Sequence, residues 1–177
     1  RDVKDFSVVA QSMKEKERKS KFLFKGSHGD VFFLAWTTTP WTLPSNTALA
    51  VGPSIGYIKV KTFNPYTHEP ITVILGSDLK EKYFPEKDAG LKLSDYIPGK
   101  TGVPYKIVDE FNGEALKGVR YEQLLPFEQP ADGDAFVVLT GDFVTTDEGT
   151  GIVHIAPSFG ADDFRIAREN GIGALTM

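Results

Sequence analysis

Three consecutive threonines, Thr37, Thr38 and Thr39, stand in the stretch WTTTPWTLPSN over residues 36–46, directly after an apolar run. A hydroxyl triplet is poor helix interior, and folding alone does not call for one. Short hydroxyls on β-branched, χ1-restricted side chains suit a pocket that must hydrogen-bond a polar ligand without crowding it. A second stretch, DEGTGIVHIAPSFGADDF over 147–164, sets His154 in an apolar strand and places Asp162 and Asp163 at a helix start. The helix dipole favours an ionised carboxylate there, and one facing a pocket suits an ammonium group. Residue pattern alone leaves open which of the two faces inward. The bland alternatives are helix-start electrostatics for Asp162, strand filler for the threonines and a satisfied core imidazole for His154. Trp36 and Trp41 read first as core residues.

Other chemistries are poorly supported. His28, His68 and His154 lie far apart and form no metal-ligand pair. The absence of cysteine excludes thiolate chemistry, disulfides and cysteine-based zinc sites. There is no nucleophile elbow and no phosphate-binding P-loop. The Gly-Thr-Gly at 149–151 is too short for a dinucleotide fingerprint and reads as a tight loop. No metal or cofactor is expected, and a hydrolase built from these residues would use water as its nucleophile. A net charge of −4, from 20 basic and 24 acidic residues, argues against a general nucleic-acid coat but permits a grip on one short RNA end. No apolar run approaches a membrane span, so no membrane partner is expected, and the cysteine-free composition fits a reducing compartment such as the cytoplasm. The chain begins without methionine and ends in mid-pattern, which reads as a domain cut from a longer polypeptide.

The elements that must position these residues are mostly short strands. FSVVAQSM and KFLFKG are strand candidates around the charged run KEKERKSK, itself read as a solvated loop. DVFFLAWTT (30–38) is apolar on both faces, as a central strand should be. TALAVGP, GYIKVKTF, EPITVILG, YKIVDEF, DAFVVLTGDFV and GIVHIAP follow. SDLKEKYF (77–84) reads as a short helix with Ser77 as N-cap and Pro85 as stop. Residues 86–104 are polar and turn-rich. ADDFRIAREN (161–170) is the clearest helix, with Phe164, Ile166 and Ala167 as its apolar face and Asn170-Gly171 as a left-handed stop. In GIVHIAP, alternation groups Ile152, His154 and Ala156 on one face. The fold class expected is α+β, mainly β: a closed or nearly closed β-barrel with short helices on its rim.

Both chemistry-bearing stretches resemble the editing domain inserted in the catalytic core of the isoleucyl-tRNA synthetases, within the class I aminoacyl-tRNA synthetases. TTTPWTLPSN differs from the TTRP form of valyl and leucyl relatives, and GTGIVHIAP carries His154 where valyl enzymes have lysine. EFNGEALKGVRYEQLLPF (110–127) is similar to the family's Gly-x-x-Leu-x-Gly-x-x-Tyr connector. The resemblance runs from about residue 30 onward and weakens over 62–105, part of which is expected to be a variable surface insertion.

The resemblance implies that residues 1–177 are a single editing domain that hydrolyses valine mischarged onto tRNA(Ile). It places Thr37, Thr38 and Thr39 around the substrate, with Thr38, Thr39 and Asp163 as the catalytic set and Asp163 also on the α-amino group. Trp36 and Asn46 would bind substrate alongside them, and His154 would line the wall beside the amino-acid side chain. The implied partners are the 3′ end of tRNA(Ile) carrying valine and the catalytic and anticodon-binding parts of the same chain. Competing readings are valyl or leucyl specificity on the same fold, a non-catalytic RNA-end-binding barrel and an inactive docking insert.

Overall fold

The computed structural model describes residues 20–25 and 31–175. The expected strand FSVVAQSM and most of the charged run after it lie outside the described residues. Eight strands form one mixed sheet: β1 (Ser20–Lys25), β2 (Val31–Thr37), β3 (Ala48–Val51), β4 (Gly56–Phe63), β5 (Pro70–Gly76), β6 (Lys106–Asn112), β7 (Val137–Thr140) and β8 (Ile152–Ile155). Among the described residues two α-helices accompany them, α1 (Lys80–Tyr83) and α2 (Ala161–Glu169). Apart from FSVVAQSM, each β-branched or aromatic run read from the sequence overlaps one of these paired strands.

β2 organises the sheet. β1 pairs antiparallel with it along Phe32 to Thr37 and so occupies one edge. On the other edge, the first half of β2 pairs parallel with β5, through Val31 to Phe33, and its second half pairs parallel with β8 at Trp36–Val153. Two three-stranded leaves, β5-β4-β6 and β8-β3-β7, therefore branch from a single edge. A backbone bond from Gly76 N–H to the Thr150 carbonyl (2.7 Å) ties the leaves at the fork. The outermost strands, β6 and β7, do not pair with each other. The closed or nearly closed barrel expected from the strand count is thus corrected to an open, branched sheet. Strand number and spacing do not encode whether a central strand keeps one neighbour or changes neighbours halfway.

Phe33, Leu49, Val51, Tyr57, Ile74 and Ile152 form one buried cluster, joined by Leu116, Tyr121 and Leu124 of the segment that follows β6. A second cluster packs Ile166 and Ala167 of α2 on Ala48, Ala50, Val137 and Ile155. A third packs Phe84 and Tyr105 on the outer face of β4 and β5. The Tyr57 hydroxyl, at the fork, accepts from Gly52 N–H and donates to the Gly151 carbonyl (2.9 and 2.6 Å), and burial pushes its pKa up to about 12.

Two local expectations are corrected. Ser77 is not a helix cap: its hydroxyl donates to the Gly56 carbonyl, and a 3-10 turn (Ser77–Leu79) leads into α1. Phe164 does not belong to the buried face of α2, being 52% exposed. With only nine residues and one side against the sheet, the helix buries just Ile166 and Ala167. Gly171 supplies the left-handed stop at φ 66°. Most of 86–102 is exposed, is built from 3-10 turns, and adds no strand to the sheet.

Candidate functional site

Where β2 ends, the chain makes a 3-10 turn over Pro40–Ser45, with Pro40 preset for its first position. This turn, the C-terminal end of β8 and the start of α2 enclose a cleft of about 440 Å³. Thr37, Thr38 and Thr39 line it, as do Trp36, His154 and Asp163. Residues from the two ends of the chain thus meet because β2 and β8 are sheet neighbours at Trp36–Val153.

The three hydroxyls differ in their duties. Thr37 is buried, and its Oγ1 accepts the Thr39 backbone N–H at 3.0 Å, holding the strand-to-turn bend. Thr38 is exposed to the cleft, and its hydroxyl makes no hydrogen bond to any described residue. Thr39 lies 3.4 Å from both the Thr37 and the Thr42 hydroxyl oxygens. Sequence reasoning missed Thr42. A signal for it exists, since a three-residue turn superposes positions 39 and 42.

His154 is 6% exposed, with both ring nitrogens engaged. The amide of Asn46 donates to the Ala48 carbonyl at 2.8 Å, which fixes the orientation of the carboxamide. The same Nδ2 lies 2.9 Å from His154 Nδ1, so that ring nitrogen accepts. The proton therefore sits on Nε2 and is donated to Thr42 Oγ1 at 2.8 Å. Thr42 donates its own hydroxyl proton to the Thr39 carbonyl, also at 2.8 Å. Burial lowers the imidazole from 6.5 to about 4, so it is neutral at ordinary pH. The ring thus presents an uncharged, hydrogen-bonded surface to the cleft.

The two carboxylates separate cleanly. Asp162 points to solvent with its side chain 87% exposed and pairs with Arg165 at 3.3 Å. Asp163 faces the cleft, and its Oδ2 accepts the Ala156 backbone N–H at 3.0 Å. No described cationic side chain reaches Asp163. Desolvation raises its pKa, outweighing the Ala156 hydrogen bond, and the Asp162 charge adds to the rise. The helix-start effect that should keep it readily ionised is thus overruled by burial.

Trp36 lines the cleft and also packs its ring over Gly149, where a Cβ would come within 2.9 Å of it. Trp41 corrects the core reading: it is 69% exposed and stands at the cleft mouth, with Phe159 opposite on the β8–α2 turn. Asn46 does not line the cleft. It lies behind His154, 2% exposed, and supports the ring from within.

No protein-family model matches the chain. It is 53% identical over 178 residues to an isoleucine–tRNA ligase of Porphyromonas gingivalis, covering 100% of this chain and 15% of that protein. An isoleucine–tRNA ligase of Bacteroides fragilis is 53% identical over 177 residues, with the same two shares. The chain thus spans about 15% of the length of the curated relatives it matches. Among solved structures it is similar to the P. falciparum cytosolic leucyl-tRNA synthetase editing domain. That likeness has a TM-score of 0.56 at 19% identity and covers 80% of this chain and 48% of the other, so it speaks to the fold alone.

Proposed function

The chain belongs to the isoleucine–tRNA ligase family, and on that premise we propose that it hydrolyses the ester of valine mischarged onto tRNA(Ile). One observation carries the reading: an Asp163 carboxylate with no described cation beside it faces a cleft lined also by threonine hydroxyls, a neutral imidazole and the rings of Trp36, Trp41 and Phe159. A free α-ammonium group is the cation this carboxylate lacks. The Thr38 and Thr39 hydroxyls bond the ester and ribose oxygens. His154 closes the wall beside the amino-acid side chain, so that valine fits and isoleucine overlaps it. The need for such a second sieve is physical. One methylene is worth only about 1–3 kcal/mol to a first site, a limit for which isoleucyl-tRNA synthetases are themselves the standard illustration.

The step is attack of water on the ester carbonyl with the ribose hydroxyl as leaving group. His154 is saturated and Asp163 is committed to the ammonium, so neither serves as general base. Positioning and the fixed hydroxyl dipoles carry the rate. The partners on this reading are the valine-charged 3′ end of tRNA(Ile) and the remainder of the same polypeptide.

The test is deacylation of Val-tRNA(Ile) and Ile-tRNA(Ile) by the full-length polypeptide, with a crystal soak of a non-hydrolysable valyl-adenosine analogue. The reading expects rapid loss of valine only and Asp163 on the analogue's amino group. Equal indifference to both esters, or an analogue bound away from Asp163, sinks it.

A further inference from the structure

The connector Gly113-x-x-Leu116-x-Gly118-x-x-Tyr121 contributes no residue to the cleft. Each of its four marked residues nevertheless has a physical reason. Gly113 passes so close to β3 that an added Cβ would sit 2.0 Å from the Gly52 carbonyl oxygen. Leu116 is buried in the cluster beneath β2 and β3. Gly118 turns the chain at φ 81°, and its N–H donates to the Val138 carbonyl at 2.9 Å. The turn brings the next residues alongside β7, where Arg120 bridges to Val137. Arg120 then grips Asp134 through a 2.7 Å bond and the Ala135 carbonyl through a 3.0 Å bond. The Tyr121 ring meets Phe136 edge-on, 6.1 Å between centroids.

The end of this path is a buried hydroxyl. Tyr121 is 4% exposed, and its O–H donates to Asn46 Oδ1 at 2.6 Å. Burial holds the phenol well above its ordinary value of 10.0, so it is always a donor. An amide whose oxygen is held by Tyr121 and whose nitrogen is held by the Ala48 carbonyl has one orientation. That orientation presents N–H to His154 Nδ1. We infer that Tyr121 is a positioning residue which, through Asn46, fixes the tautomer and tilt of the His154 ring and so sets how large a side chain the cleft accepts. The effect on specificity rests on the sieve reading of the cleft; the effect on the ring does not. Losing the phenol leaves the Asn46 oxygen buried and unpaired, which favours amide rotation and release of Nδ1.

The experiment is Tyr121→Phe in the full-length polypeptide, compared with para-aminophenylalanine at 121, which keeps a weaker donor. Leu124→Ala is the control for loss of connector packing. The preference for Val-tRNA(Ile) over Ile-tRNA(Ile), as a ratio of kcat/KM, should fall about tenfold or more in Tyr121→Phe through faster loss of isoleucine. The aminophenylalanine variant should fall between it and wild type. Leu124→Ala should lower Tm with the ratio unchanged. Crystal structures of the phenylalanine variant should show the His154 ring turned. A ratio at the wild-type value with the ring in place overturns the inference, as does an equal fall in both rates. Should wild type hydrolyse neither ester, the sieve reading fails, and the ring alone decides: turned supports the positioning role, unmoved overturns it. Should Tyr121→Phe not fold, the aminophenylalanine variant takes its place. A reduced ratio with the ring turned then supports the role, and a wild-type ratio with the ring unmoved overturns it.

Discussion

Replacing Asp163 by asparagine should weaken deacylation strongly and spare the fold. The amide keeps an acceptor for Ala156 N–H, while the ammonium loses its counter-charge. A charged hydrogen bond of about 1.5–3 kcal/mol corresponds to a loss of about 10- to 150-fold in kcat/KM. Because burial raises the Asp163 pKa, its ionised form is a burden on the folded state at neutral pH, and Asp163→Asn should hold or raise Tm. Asp162→Asn, on the solvent side of the same turn, should leave both readouts unchanged. Thr38→Val removes a hydroxyl that holds nothing among the described residues, so a loss of turnover without loss of Tm places it on the substrate. His154→Ala should admit isoleucine and hydrolyse Ile-tRNA(Ile) while still clearing Val-tRNA(Ile). Joint loss of both activities, with a wild-type rate that falls as pH drops toward 4, would instead make His154 a base.

The elements that carry the site depend on close backbone approach. Gly118→Ala meets open space and bears only the left-handed penalty of about 1–2 kcal/mol. Gly113→Ala must instead displace the Gly52 carbonyl, so it should cost more and lower Tm further than Gly118→Ala. Thermal melts of the two variants check the order, and a reversed order would show that the connector is free to move. Most strands are legible in the sequence because their apolar, β-branched runs are bounded by Gly, Pro and Asn turns. The exposed aromatics Trp41 and Phe164 are not, since an apolar residue reads as core unless the sequence says what lies opposite it. At Trp41 nothing does: a three-residue turn projects it over the cleft mouth.

Across the whole molecule the buried imidazole makes stability depend on pH. The folded pKa of His154, about 4, lies below the unfolded 6.5. The unfolded chain therefore binds the extra proton first, and stability present above pH 6.5 is lost as pH falls toward 4, by up to ~3 kcal/mol. Asp163 works in the opposite direction, since the folded chain takes that proton first. His154→Gln should flatten the fall in Tm between pH 7 and 5, and an unchanged slope would mean the ring is not buried neutral. Exchanging residues 86–102 for a short glycine-rich link should leave both deacylation rates unaltered. That segment adds no strand and contributes no wall to the cleft.

The sequence by itself determined the mainly β class, most strand positions, the absence of thiol chemistry, and the two stretches that meet in the cleft. These follow from local properties: side-chain period, turn residues and hydroxyl or carboxylate chemistry at fixed spacing. Tertiary structure alone decided that the sheet branches instead of closing and that Asn46 stands behind His154. It also turns Asp163 and not Asp162 to the cleft, which residue pattern left open and only the family resemblance implied. Each of these depends on which distant segments become neighbours. Strand exchange at β2 is a property of the assembled sheet, inward direction on α2 is set by where that helix docks, and a ring tautomer is fixed by partners that only the folded chain brings together.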